Sequence, residues 1–150
     1  MLGIPKSKST HLSEVKGMVI NMKRVTAGLL VKDGLYLIAK RRVGDPLANL
    51  WEFPGGKIEI GETPEECLRR EMYEELQIDV EVGDFFCKSI YEYDFGVIEL
   101  LIYWVSWKGD SLHPTVHDEI AWVDKQTILN YQFLPADIPI VKKLILQKNY

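Results

Sequence analysis

Apolar residues along this chain mostly come in short runs of strand length, and two stretches carry them at helical spacing instead. Residues 25–31 and 36–40 are β-rich runs separated by Lys32-Asp33-Gly34-Leu35. An Asp-Gly pair between apolar runs predicts a tight hairpin, because both central positions of that turn take positive φ. Trp51-Glu52-Phe53 leads to a break at Pro54-Gly55-Gly56. Residues 78–82, 85–93, 97–107 and 120–123 read as further strands, and Lys108-Gly109-Asp110 ends the longest of them. Leu68, Met72 and Leu76 recur every four residues, which predicts a helix of about three to four turns with one apolar face. Three cues agree on its start: Thr63 can cap, Pro64 fits the first helical position, and Glu66 completes a capping box. Residues 136–147, with Ile140, Val141, Leu144 and Ile145 apolar, predict a second helix. The expected class is α+β, a mixed sheet with helices packed on it.

The 150 residues suit one domain with one substantial core. At 47% hydrophobic and 27% charged, the chain reads as globular and not as disordered or fibrous. Residues 1–21 are polar and punctuated by glycine, proline and serine, so they read as an N-terminal extension, possibly flexible, before a domain over 22–150. The longest apolar run, residues 100–105, is six long, too short to span a bilayer, and no signal-peptide stretch precedes it; the expected residence is cytoplasmic. Eighteen basic against 22 acidic residues disfavour a nucleic-acid polymer or an anionic membrane as partner. Two cysteines, Cys67 and Cys87, exclude a disulfide framework and a cysteine-built zinc site, and read as small buried hydrophobes. A monomer and a homodimer both remain open.

Charge is concentrated in one place. Seven of the 17 residues from 59 to 75 are glutamate. Glu71, Glu74 and Glu75 stand at i, i+3 and i+4, where each like-charge pair costs roughly 0.2–0.5 kcal/mol in an isolated helix. The stripe adjoins the apolar Leu68–Met72–Leu76 ridge and so lies near the sheet. Carboxylates gathered beside a core are costly unless a cation arrives. Oxygen donors with no histidine or thiolate among them suit Mg²⁺, with Mn²⁺ possible.

The order of these residues is itself informative. Gly56, five residues, Glu62, seven residues, then Arg70-Glu71-Met72-Tyr73-Glu74-Glu75-Leu76-Gln77-Ile78 resembles the Nudix box. Its six matching glycine and charged positions would coincide by chance on the order of once in 10⁵ such chains. The flanking Trp51-Glu52-Phe53-Pro54-Gly55-Gly56-Lys57 and Gly61-Glu62-Thr63-Pro64-Glu65 are similar to the MutT branch, and the likeness covers about residues 22–147. Gln77 departs, standing where that family usually has a helix-ending glycine. A left-handed conformation there costs a residue with a Cβ roughly 1 kcal/mol, so a slightly different helix exit is expected.

The resemblance implies an α/β/α sandwich, a mixed sheet flanked by the Nudix helix and a C-terminal helix. It implies a metal-dependent hydrolase that cleaves nucleoside triphosphates to monophosphate and pyrophosphate. Carried over by position, Glu71, Glu74 and Glu75 are the expected metal ligands, with the Gly56 carbonyl an extra one. Glu71 or Glu62 is the expected base, and Arg70 orients a glutamate such as Glu74. Arg42 and Lys57 are the expected substrate-binding cations. The family's distal glutamate ligand falls at Val116 when counted back from Trp122, so Glu119, alone or paired with His117, is the expected substitute.

Asp137, before the C-terminal helix, takes the place of the asparagine that reads the base in MutT, and its bland role is to cap that helix. Ionised, it only accepts hydrogen bonds and favours the cytosine amino group. Phe53 and Phe95 are candidates to stack on the base. A cytosine or modified cytosine nucleotide is therefore the first expectation. The alternative is 8-oxo-dGTP cleansing with Asp137 protonated by its pocket, and a non-catalytic nucleotide-binding module is the reading from another class.

Overall fold

We solved the architecture as a computed structural model that describes residues 10–15 and 18–148, with side chains from Met22 onward. In chain order the strands and first helix are β1 (Thr10–Val15), β2 (Met18–Lys32), β3 (Leu35–Arg41), β4 (Trp51–Glu52), β5 (Gly55–Lys57) and α1 (Pro64–Leu76). Then come β6 (Glu81–Tyr93), β7 (Gly96–Ser106), β8 (His117–Val123) and α2 (Ile138–Leu146), with short 3₁₀ turns at Thr127–Asn130 and Pro135–Asp137. Within the segment read as an extension, β1 pairs antiparallel with the start of β2, from Thr10↔Lys23 to Val15↔Met18. The expectation of flexibility for residues 1–9 lies outside the described residues.

β2 organises the sheet. One side runs parallel to β7, from Met22↔Val97 to Leu30↔Val105. The other side pairs antiparallel with β1 and then, over Val25↔Lys57 to Ala27↔Gly55, with β5. Its end turns through Asp33 (φ 53°) and Gly34 (φ 76°) into β3, the two positive φ values that the Asp-Gly pair predicts. β3 is flanked by β4 and β8, and β6 is the antiparallel neighbour of β7.

The strand period of two divides the core between two faces. Ile98, Leu100 and Ile102 of β7 join Leu29, Ile38 and the α2 residues Ile140, Val141 and Leu144 on one side. Val105, Leu30 and Leu37 face the α1 ridge of Leu68, Met72 and Leu76 on the other. Each fully buried side chain of that ridge contributes roughly 1.5–3 kcal/mol. The two helices thus sandwich the sheet, the expected α+β arrangement. Among the described residues no helix is long and apolar enough to cross a membrane.

The ends of α1 follow the sequence cues on one side and depart on the other. Thr63 caps the helix reciprocally with Glu66, and Pro64 occupies the first turn. At the exit Gln77 does not avoid the conformation of the missing glycine: it adopts it, at φ 62° and ψ 38°, and its N–H bonds to the Tyr73 carbonyl. The expectation of a different exit is corrected. Two further orphan carbonyls are closed by the loop before β8. His113 N–H bonds to Leu76 O and Thr115 N–H to Glu75 O, both at 2.9 Å.

Candidate active site

α1 buries Cys67, Leu68, Met72 and Leu76, and that choice of face decides where its glutamates go. Glu71 and Glu75 are half-buried at the edge of the ridge, and Glu74 is exposed. Arg70 draws the group together. Its Nε and Nη2 grip Glu62 at 2.7 and 2.9 Å. Nη1 reaches Glu71 Oε1 at 2.8 Å and Glu74 Oε2 at 3.1 Å, and Nη2 also donates to the Lys57 carbonyl at 3.1 Å. This planar fork fixes the helix to the β5 turn. Gly56 supplies the space on the facing strand: a Cβ there would fall inside the Glu71 carboxylate.

Glu71 and Glu75 line a cleft of about 300 Å³. One wall is a chain of paired charges. Arg41 holds Asp45 through two nitrogens at 3.1 and 2.6 Å, and Glu52 through a third at 2.9 Å. The other Glu52 oxygen meets His117 Nε2 at 2.9 Å. Burial by itself would lower the Arg41 pKa, but Glu52 and Asp45 outweigh it and raise it. Burial also pushes Glu75 well above the ordinary carboxylate range, helped by the neighbouring Glu71 carboxylate and by Glu52.

At the far end Asp137 is 4% exposed. Its Oδ2 accepts the Phe53 N–H at 3.0 Å, and it makes no side-chain cap to α2 although it occupies the cap position. Burial, then the Glu52 charge, raise its pKa well above the usual value against the opposing pull of the Phe53 N–H and Arg41. Its surroundings thus favour the neutral form of a carboxyl that the first expectation took as ionised.

Of the residues singled out from sequence, Glu71, Glu75, Gly56, Lys57, Arg42, Phe53 and Asp137 line this cleft together. Arg42 is exposed and donates to the Thr115 carbonyl at 3.0 Å. Glu62 lies behind the cleft, both oxygens taken by Arg70 and one also by the Glu59 N–H at 3.0 Å. Arg70 holds its pKa low, which makes it an anchor and a poor base. Phe95 does not line the cleft; it stacks on Tyr93, which does, at 5.1 Å between ring centres.

Two other expected ligands lie differently from Glu71 and Glu75. Glu119 points away from the cleft and pairs with Lys40 at 3.3 Å. The cause is a bulge between Lys40 and Arg41: the β3–β8 register runs Lys40↔Glu119 and then Arg41↔His117, so His117 takes the cleft side. The Gly56 carbonyl receives the Thr26 hydroxyl at 3.4 Å and the Cys67 thiol at 3.5 Å from the buried side. Gly56 also lines the cleft and leaves room there for Glu71. Arg41, Asp45, Glu52, Tyr93 and His117 were absent from the sequence reading or peripheral to it. The alternation after the Trp51 core position was the one signal that could have marked Glu52.

Comparisons with known proteins identify the family and the fold. A NUDIX domain family model matches residues 22–144. The chain is 33% identical over 123 residues to the CTP pyrophosphohydrolase of Escherichia coli (strain K12), covering 82% of this chain and 91% of that protein. It is 32% identical over 123 residues to the 8-oxo-dGTP diphosphatase of the same organism, covering 81% and 95%. The solution structure of the E. coli ORF135 protein superposes with a TM-score of 0.72 at 34% identity, over 81% of this chain and 86% of that one.

Proposed function

The chain belongs to the NUDIX family, as a hydrolase of nucleotide diphosphate bonds, and from that premise we propose a Mg²⁺-dependent nucleoside triphosphate pyrophosphohydrolase acting on cytosine or modified cytosine nucleotides. The chain is a Nudix pyrophosphohydrolase of the CTP pyrophosphohydrolase and 8-oxo-dGTP diphosphatase type. What carries the cytosine reading is the convergence of Glu71, Glu75 and the buried carboxyl of Asp137 on one cleft.

The donor set fits a hard divalent cation. Two carboxyls converge, one of them driven toward neutrality by burial and by its neighbour, a cost that a cation between them offsets. Mg²⁺ keeps several waters and takes substrate phosphates beside one or two carboxylates, so Glu71 and Glu75 meet its needs. Glu71 and Glu75 would hold the ion; Glu74, exposed, paired with Arg70 and outside the cleft lining, would join them only by leaving Arg70. When bound, it neutralises diphosphate charge and lowers the pKa of water.

The chain's own residues do the rest. Glu71 takes the proton of the attacking water, because Glu62 is saturated by Arg70 and the Glu59 N–H. Arg70 holds Glu71 in register with Glu62 and Glu74. Arg42 and Lys57 bind phosphate oxygens from the rim. A protonated Asp137 presents one donor and one acceptor, as a carboxamide does. That pair fits the N3 and amino edge of cytosine, and the likeness to a CTP pyrophosphohydrolase favours this base. The same pair also fits O6 and N7–H of 8-oxoguanine, so the burial that raises the Asp137 pKa, together with the likeness to an 8-oxo-dGTP diphosphatase, favours a second reading, 8-oxo-dGTP cleansing. The hydrolase domain is residues 22–150, with 1–21 appended; the family match beginning at residue 22 supports that boundary.

Pyrophosphate release from CTP, 5-methyl-dCTP and 8-oxo-dGTP with Mg²⁺, run beside Glu75→Gln, tests the assignment. The expected result is fastest turnover on a cytosine nucleotide, abolished in the variant. Preference for 8-oxo-dGTP by about tenfold or more, roughly 1.4 kcal/mol in the transition state, transfers the assignment to the second reading. Silence on every triphosphate leaves a binding module.

A further inference from the structure

Beneath the β5 turn sits a buried polar pair that the chemistry above does not use, although Thr26 also borders the cleft. Thr26 of β2 and Cys67 of α1 are both fully buried, at 0% exposure. The Thr26 hydroxyl is 3.2 Å from the Cys67 sulfur. Both groups also converge on the Gly56 carbonyl, at 3.4 and 3.5 Å. Arg70, which holds Glu71, reaches the same sulfur at 3.8 Å. The thiol is pushed up to about 12 by burial, so it is a neutral S–H donor and not a nucleophile.

We propose that Thr26 and Cys67 form a latch on the Gly56 carbonyl and thereby position the Glu71 carboxylate for the divalent cation. This rests on the reading of Glu71 as a metal ligand. Gly56 is pinned on both sides: the latch pulls its carbonyl inward, and the Glu71 carboxylate occupies the space of its absent Cβ. A small shift of Gly56 is therefore passed directly to the carboxylate. Thr26 stands opposite Gly56 in the β2–β5 ladder, so its side chain acts at the residue that must not move. An apolar pair of the same volume would fill this site without burying a hydroxyl and a thiol, which makes the two donors aimed at one carbonyl the informative feature. Thr26 and Cys67 are positioning residues: their buried hydroxyl and thiol face the Gly56 carbonyl and take no part in the reaction.

The test uses the full chain and Mn²⁺ as probe, with binding read by electron paramagnetic resonance in the absence of nucleotide. Thr26→Val keeps the shape and removes the hydroxyl. Outer-shell partners of metal ligands typically contribute 10- to 100-fold in affinity, so the variant should bind Mn²⁺ roughly tenfold more weakly. Its nucleotide KM at saturating metal should stay at the parent value, and Thr26→Ser should restore binding. Cys67→Ala should weaken Mn²⁺ binding in the same direction, and it carries the test should Thr26→Val fail to fold. A folded Thr26→Val with Mn²⁺ affinity within about twofold of the parent overturns the latch alone. A parent chain that binds no Mn²⁺ overturns the metal reading of Glu71, and the latch with it.

Discussion

Arg70→Met tests most directly how the acidic helix is held. The substitution keeps most of the aliphatic stem and removes a guanidinium that engages three carboxylates. Glu62 and Glu71 are each 14% exposed and Arg70 is 26% exposed, so these two pairs lie between the surface and buried limits. Surface pairs contribute about 0–1 kcal/mol and breaking a buried pair costs about 3–5 kcal/mol. The Glu74 pair, with a partner 57% exposed, belongs to the surface class. The expected loss is about 2–3 kcal/mol at pH 7, or about 5–10 °C in melting temperature for a chain of this size. It also has a sign in pH. The hydrogen bonds from Arg70 hold the Glu62 carboxyl below its ordinary range, so that stabilisation is present above the unfolded value of about 4.3 and is lost as pH falls through the lowered folded value. Thermal melts of parent and variant between pH 3 and pH 8 should therefore converge at the acid end. A gap below about 1 kcal/mol at pH 7, or one that widens on acidification, would refute the account.

Three further outcomes follow from single features. Gly56→Ala puts a Cβ into the Glu71 carboxylate, and turnover should fall roughly 100-fold, as expected for a misplacement near 1 Å; unchanged steady-state kinetics would mean the carboxylate moves aside freely. Gln77→Gly relieves the left-handed exit of α1 and should add roughly 1 kcal/mol by denaturant unfolding with turnover unchanged. Asp137→Asn retains an acceptor for the Phe53 N–H and removes a carboxyl whose raised pKa costs stability as pH rises above about 3.9. The variant should be the more stable protein at pH 7 and match the parent near pH 4 in melts at both values, with its nucleotide preference intact.

The acidic helix was legible because independent local signals coincide there: a four-residue apolar period, a reciprocal cap and a proline in the first turn. The Asp33-Gly34 turn was legible for the same reason. What escaped was whatever depends on a partner distant in sequence. Gly55–Lys57 reads as a break after proline, yet it is a strand because Thr26 and its neighbours pair with it. β6 reads as two runs because its register shifts between Val82 and Phe85 and again before Cys87, although the pairing with β7 is continuous in space. Ile78 and Val80 are apolar because they seal the core under α1, not because they lie in a strand. The cleft wall of Arg41, Glu52 and His117 joins three strands, and one bulged residue decides that His117 and not Glu119 faces inward. No local pattern carries that information.

The parallel pairing of β2 with β7 also constrains the order in which the molecule can assemble. Arg24 meets Glu99 across 75 positions of chain, and closing a loop of that length costs about 4 kcal/mol by the logarithmic rule. The turn at Asp33-Gly34 closes at once, whereas the central ladder must wait until β7 has been made. During synthesis the acidic helix and the glycine turn leave the ribosome well before the strand that locks β2 beneath them. For that interval one flank of a long apolar strand is an open template for any other extended chain. Nascent chains halted before residue 96 therefore carry the whole set of box glutamates and lack the ladder that holds β2 in place. Refolding should be slow for a domain of this size, because its central pairing joins positions 75 residues apart and the β3–β8 pairing spans up to 87.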